Sequence, residues 1–324
     1  MLFSGIFWAS AAYPRSAKLK APNKSHHFFQ ARSIVMKLSD AYGPGKFGLS
    51  FELFPPKTPQ GVANLFQHVA RLVEFRPSFI TCTYGAGGST QETTLEIIAR
   101  VRREFDISVA THLTCVGRTV EALCEYLDTA RSSGVENVVA LRGDPPRGDA
   151  TFRPVAGGLS HANELVTLIR REFPDFGIAV AGYPETHQEA SSPEIDIVNL
   201  KRKVDAGGDV VVTQLFYDNE DFFRFRDRCQ EAGIRVPIVP GLLPVTNFAQ
   251  IQRITAMCGA KLPVDLVRQL EAAGEDPQAQ FRIGVEFAAL QTQNLLKAGV
   301  PGIHFYVLNR SEAAAEVLSN VTLT

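Results

Sequence analysis

Phe47-Gly48-Leu49-Ser50-Phe51-Glu52-Leu53-Phe54, closed by Pro55-Pro56, is the stretch on which the fold turns. It is short and almost continuously apolar, the pattern of a strand buried on both faces of a parallel sheet. Runs of the same kind recur at 79–84, 108–114, 137–143, 178–184, 209–216, 238–244 and 302–308. Amphipathic stretches of helical length separate them. Residues 90–105 place Leu95, Ile98, Ala99 and 102–105 at spacings of three and four. Residues 160–173 and 193–206 read as two more helices, the second with Ser192 as N-cap ahead of Pro193. Gly134, Gly207 and Gly233 fall just past helical patterns, where a left-handed C-cap belongs.

Eight strand-and-helix repeats between residues 47 and 308 match, in number and length, a (β/α)8 or TIM barrel, which needs about 250 residues. The expected architecture is therefore α/β, one barrel domain with extra helices. The extra helices belong to the long gap between 244 and 302. The competing fold is an open, doubly wound sheet. That fold normally opens on a strand leading into a glycine-rich phosphate turn; the chain's GxGxxG, Gly43 to Gly48, leads into the first expected strand instead of following it, and GxxxxGK[ST] does not occur.

Composition narrows the function classes. With 324 residues, 45% apolar and 21% charged, the chain is neither disordered nor fibrous. No apolar run approaches the roughly 18 residues of a membrane span. Net charge is −1, but unevenly spread. No Asp or Glu precedes Asp40, against Arg15, Lys18, Lys20, Lys24, Arg32 and Lys37, so the rest holds 27 basic and 34 acidic groups. A body that acidic gives no electrostatic reason to bind nucleic acid. Cys82, Cys115, Cys124, Cys229 and Cys258 form no CxxC pair and suit neither a disulfide framework nor a zinc site, which fits reduced cysteines in a cytoplasmic protein.

Residues 1–40 stand apart from the expected barrel at 41–324. They read as a spurious or disordered extension with the true start at Met36, as a transit peptide, or as a signal peptide.

In a barrel of this kind chemistry gathers at the C-terminal ends of the strands. Several expected strands end there in functional side chains: Glu52, Thr83-Tyr84 before the Gly85–Ser89 loop, His112, Arg142-Gly143-Asp144, Gln214, and His304 to Arg310. Glu52 among Phe51, Leu53 and Phe54 is either a partnered core carboxylate or one whose pKa burial raises, suiting it to donate a proton. Taken singly, His112 reads as a core histidine and Leu200-Lys201-Arg202-Lys203 as a solvated helix face. Together they describe one acid, several hydrogen-bond donors and basic groups suited to a pyrophosphate. Nothing in the pattern suggests a metal.

Seven ordered motifs resemble the methylenetetrahydrofolate reductase family: 50–56, 83–88, 111–115, Leu141-Arg142-Gly143-Asp144, 200–207, Pro240-Gly241-Leu242-Leu243-Pro244 and His304-Phe305-Tyr306-Val307-Leu308-Asn309-Arg310. They run from about residue 47 to past 310. The chain ends soon after, so it resembles the short bacterial form without an appended regulatory domain.

The resemblance implies a flavin barrel that binds FAD and works by a ping-pong cycle, with NADH or NADPH as reductant. NAD(P)H reduces the flavin, which then reduces 5,10-methylenetetrahydrofolate to 5-methyltetrahydrofolate, feeding methionine synthesis and one-carbon metabolism. Glu52 falls on the family's proton donor, which opens the one-carbon bridge by protonating the folate N10. Flavin positions carry over onto Thr83, Tyr84, Ala86, His112, Arg142, Gly143 and Asp144. They continue onto His161, Ala162, Tyr183, His187, Asp196, Asn199, Arg202 and Lys203, the last two toward the pyrophosphate. Substrate positions fall on Asp144, Gln214, Gln250, Tyr306 and Arg310, and family members assemble as homo-oligomers.

Three departures stand out. His161-Ala162 replaces the family's frequent Tyr-Ala, Gly208 replaces a common Ala, and Ile254 stands where an aromatic residue is expected to cover the folate. The alternatives are a methyltransferase barrel, which would want a cysteine-ligated zinc, and a non-catalytic flavin- or folate-binding barrel.

Overall fold

The computed structural model describes residues 36–83, 91–145 and 151–323. The expectations for the N-terminal extension up to residue 35, and for Tyr84 and Ala86, lie outside the described residues.

Eight parallel strands close into a barrel in chain order: β1 (Gly48–Leu53), β2 (Phe79–Cys82), β3 (Ser108–Thr114), β4 (Asn137–Leu141), β5 (Gly177–Gly182), β6 (Val210–Leu215), β7 (Ile238–Leu242) and β8 (Gly302–Tyr306). The barrel closes where Gly48 to Glu52 pair with Gly302 to Tyr306. Ten α-helices are described: α1 (Pro59–Val73), α2 (Gln91–Phe105), α3 (Val120–Ser132), α4 (Ala162–Glu172), α5 (Pro193–Asp205), α6 (Asn219–Glu231), α7 (Phe248–Cys258), α8 (Val264–Ala272), α9 (Pro277–Lys297) and α10 (Glu312–Ser319). The long gap thus holds three helices. The open-sheet alternative falls because β1 and β8 are hydrogen-bonded neighbours.

Local chemistry explains the boundaries. Ser192 Oγ accepts the Ile195 N–H at 3.3 Å, and Pro193 occupies the first helical position of α5, as the sequence pattern predicts. Gly134 and Gly233 turn the chain out of α3 and α6 with φ of 80° and 78°.

Two apolar layers follow from the period-two alternation of a strand. Leu49, Phe51, Leu53, Ile80, Val109, Leu113, Val138, Ile178, Val180 and Phe305 point outward and pack against the helices. Phe79, Ala110, Val139, Ala179, Val212 and Tyr306 point inward and fill the barrel. Glu52, His112, Gln214 and His304 share the inward parity, so they stand inside the barrel rather than between strand and helix.

The barrel floor is closed by residues just before β1. A 3-10 turn, Leu38–Ala41, buries Leu38, whose N–H donates to Asn137 Oδ1 at 2.8 Å. Tyr42 lies against Gly48 and Gly302, where any Cβ would collide with its ring. The expected domain boundary at residue 41 therefore falls inside a segment that packs on the barrel. No described helix is long and apolar enough to cross a membrane.

Candidate active site

Glu52, the fifth residue of β1, is 1% exposed. Its Oε2 lies 3.3 Å from His112 Nε2 on β3 and 3.6 Å from His304 Nε2 on β8. These are ion-pair distances without the alignment of a formed hydrogen bond: among the described residues, both Glu52 oxygens and His112 Nε2 are buried without a hydrogen-bond partner. His304 is oriented from behind, its Nδ1 sharing a 2.8 Å hydrogen bond with Ser50 Oγ two residues before Glu52. Burial pushes the Glu52 carboxyl upward, but the two imidazoles outweigh it and hold the group below its ordinary value. Of the two readings the sequence left open, this is the partnered carboxylate, and the direction is opposite to the rise that burial without partners would give. The reversal has a simple cause: two of the barrel's inward positions around Glu52 are histidines, contributed by strands far away in sequence.

The strand carrying Glu52 is held on the β2 side as well. Thr83 is buried, its N–H donates to Leu53 O at 2.9 Å, and its own carbonyl accepts the Thr94 hydroxyl of α2 at 2.8 Å.

A second group gathers at the ends of β4 and β5 and along α5. The Arg142 guanidinium binds both oxygens of Glu189, at 2.5 and 2.8 Å, and lies 5.1 Å from the Phe152 ring centroid. Glu189 holds the Arg142 pKa up, against a smaller opposing effect of burial. Gly143 has φ of 87°, and a Cβ there would run into Val116 and Thr114, so the turn between Arg142 and Asp144 requires glycine. Tyr183 and His187 pack edge to face at 4.6 Å between centroids, with the Lys203 ammonium 5.8 Å from the Tyr183 centroid.

Lys203 Nζ donates to Ala181 O at 2.5 Å, and burial pulls its pKa down to about 8 although Asp196 opposes the shift. Burial likewise lowers His187 to about 4. Asp196 Oδ2 accepts the His187 N–H at 3.0 Å, and desolvation raises its pKa. Asp144 and Arg142 both act electrostatically on Tyr183. Arg142, Asp144, Tyr183, His187, Asp196 and Lys203 are therefore one connected cluster. Asn199 and Arg202 stand exposed beside it on α5, joined at 3.0 Å.

Across the barrel, Tyr306 is fully buried and its hydroxyl donates to Thr213 O at 2.6 Å. Gly241 makes this possible, since a Cβ there would overlap the Thr213 carbonyl and press on the Tyr306 ring. Gln214 is buried, with Oε1 accepting the Leu215 N–H at 2.9 Å. Gln250 is half-buried in the first turn of α7, and Arg310 is exposed after β8. Ile254 is buried in the inner cluster, to which Phe248 of the same helix is also packed.

His161 is placed differently. It is the N-cap of α4 without a side-chain cap bond, and its exposed ring meets Glu164 at 3.1 Å. Its backbone carbonyl lies against Cys115, while Ala162 opens the helix. Ser50 and Glu189 have no role in the sequence reading. Counting inward parity along β1 exposes Ser50; nothing in the sequence pairs Glu189 with Arg142, 47 residues away.

A family model described as methylenetetrahydrofolate reductase matches residues 37–322. A methylenetetrahydrofolate reductase (NADH) of Arabidopsis thaliana is 41% identical over 300 residues, 90% of this chain and 51% of its own. The chain spans about half the length of the plant relatives it matches. The 5,10-methylenetetrahydrofolate reductase of Escherichia coli (strain K12) is 39% identical over 285 residues, 88% of this chain and 94% of its own. Among solved structures, a Clostridium thermocellum protein described as binding two copies of 5-methyl-5,6,7,8-tetrahydrofolic acid shares the fold. Its TM-score is 0.56 at 14% identity, over 85% of this chain and 94% of that one.

Proposed function

The chain belongs to the methylenetetrahydrofolate reductase family, and from that premise we propose that it reduces 5,10-methylenetetrahydrofolate to 5-methyltetrahydrofolate at the C-terminal mouth of the barrel, using NADH or NADPH in a ping-pong cycle. FAD, when bound, would accept a hydride from the nicotinamide and pass one to the folate. The residues present fit such a group. The cluster from Arg142 to Lys203 offers cationic donors for a diphosphate, aromatic surface at Tyr183 and a carboxylate at Asp196 for hydroxyl groups.

The observation that carries the proposal is the state of Glu52. A carboxylate only 1% exposed, set between two imidazoles yet with neither oxygen in a formed hydrogen bond to a described residue, is placed for proton exchange more than for holding the fold. On this reading Glu52 delivers a proton to the folate N10. His112 and His304 hold the carboxylate in place, and the Glu52–His304–Ser50 array keeps a proton within reach despite the lowered pKa of the acid. Gln214, Gln250, Tyr306 and Arg310 would line the folate side, with Gln214 and Thr83 shared by the nicotinamide. Arg142, Tyr183, His187, Asp196, Asn199, Arg202 and Lys203 would hold the flavin, and Asp144 would stand between flavin and folate.

An anaerobic visible spectrum tests this directly. Purified protein supplied with FAD should show a flavin spectrum that bleaches with NADH and returns on adding methylenetetrahydrofolate. Colour that bleaches but does not return with the folate rejects the substrate, and failure to retain FAD rejects the carried-over site.

A further inference from the structure

After β8 the chain passes through Leu308 and Asn309 with φ of 49° and 58°. Two successive residues with a Cβ in the left-handed region are unusual. Asparagine tolerates that conformation, whereas leucine does not favour it. Such backbone persists only where surrounding contacts enforce it.

The contact is explicit. Asn309 Oδ1 accepts the Phe54 N–H at 2.8 Å, and Asn309 Nδ2 donates to the Phe54 carbonyl at 2.9 Å. The β1–β8 ladder ends at the Glu52–Tyr306 pair, so the carboxamide continues the join beyond the last ladder position with a side chain in place of a strand. Among the uncharged side chains of this size, only a carboxamide offers donor and acceptor together for both backbone groups of one residue.

On the other side of Arg310, Ser311 N–H reaches His68 Nδ1 at 3.3 Å and its hydroxyl meets the same nitrogen at 3.1 Å, tying the turn to α1. Arg310 N–H itself closes the turn on Val307 O at 2.8 Å. The exposed Arg310 side chain thus rises from backbone fixed on both flanks, and the same clip fixes the strand end two residues past Glu52.

We propose that Asn309 is a positioning residue, which locks the Glu52 strand end and the Arg310 turn into one rigid unit so that the acid and the guanidinium address the folate in a fixed geometry. The proposal rests on the folate reductase reading above. It predicts that losing the clip damages the folate half-reaction and leaves flavin reduction by NADH alone.

Asn309→Gly is the first variant, because glycine accepts φ near 58° without strain while removing both bonds. Asn309→Asp is the second, keeping the acceptor for Phe54 N–H but turning an oxygen toward the Phe54 carbonyl. Hydrogen exchange at the Phe54 amide, and the two half-reactions followed separately by flavin absorbance, are measured in FAD-loaded protein. In Asn309→Gly the Phe54 amide should lose protection and flavin reoxidation by methylenetetrahydrofolate should slow about 10- to 100-fold. Reduction by NADH should stay within about twofold of wild type. Asn309→Asp should fall between the two.

Unchanged Phe54 protection overturns the clip. Equal losses in both half-reactions overturn the positioning role and leave a structural one. Wild-type protein that fails to reoxidise with the folate overturns the functional reading itself, a result separate from either of the others.

Discussion

Glu52 Oε2 and His112 Nε2 stand 3.3 Å apart inside the barrel, buried, and neither atom has a formed hydrogen bond among the described residues. A pair held this close yet unsatisfied is poised to take or give a proton when a third group arrives.

Replacing Glu52 by Gln keeps the shape and removes the acid. Flavin binding and its reduction by NADH should persist, while folate reduction falls by about 10²- to 10⁴-fold, the usual worth of a general acid. Stopped-flow absorbance separates the two steps, and normal turnover in Glu52→Gln would reject the assigned role.

His304 helps to hold the Glu52 pKa down. In His304→Asn one of the two opposing imidazoles is gone, so burial is less balanced and the Glu52 pKa rises. A carboxyl depressed in the folded state stabilises the fold above its unfolded pKa of about 4.3, and that contribution fades as pH falls through the folded value. The stability gap between wild type and His304→Asn should therefore be wide at neutral pH and shrink in acid. Denaturant midpoints across the range measure it. A gap that does not depend on pH would mean His304 contributes packing alone.

Lys203 is pulled to about 8 by burial, so it carries its charge below that pH and loses it above. If it meets a diphosphate, FAD affinity of the apoprotein should weaken as pH rises through about 8. Lys203→Arg, which stays charged, should flatten the slope. Fluorescence titration with FAD at several pH values reads this out, and identical slopes in the two proteins would remove Lys203 from the site.

Glu189 grips Arg142 in a bidentate pair with one partner about half exposed. Exposed pairs are weak, so Glu189→Gln should loosen FAD binding by only about 2- to 5-fold. Tighter binding in that variant would show that Glu189 competes with the ligand for Arg142 instead of orienting it.

Gly241 has no room for a methyl group against Thr213 O and Tyr306. Gly241→Ala should cost about 1–3 kcal/mol, seen as a lower urea midpoint. Wild-type stability would mean that Tyr306 can leave its bond to Thr213 without loss.

Much of the site was legible because a strand alternates with period two. Once 47–54 reads as β1, Ser50 and Glu52 face one way and Phe51 and Leu53 the other. Glu52, His112, Gln214 and Tyr306 could be placed on inner faces by the same count. The grouping of Asp196, Asn199 and Lys203 follows from helical spacing along α5. His304 was visible as a residue yet not as a partner, since nothing along the chain relates position 304 to position 52. Glu189 and the Asn309 clip are more hidden still, being single contacts between loops whose course no propensity dictates.

The sequence by itself determined the repeating strand-and-helix order, its barrel length, and the identity of the residues at each strand end, because these depend on local periodicity and on motif content. Only the tertiary structure decided the sign of the Glu52 shift. Burial is a property of one residue and can be guessed from its neighbours in sequence. The two imidazoles that outweigh it arrive through closure of the barrel, which sets β3 and β8 within 4 Å of a β1 side chain. Electrostatic energy falls with distance in space, and distance along the chain carries no information about it.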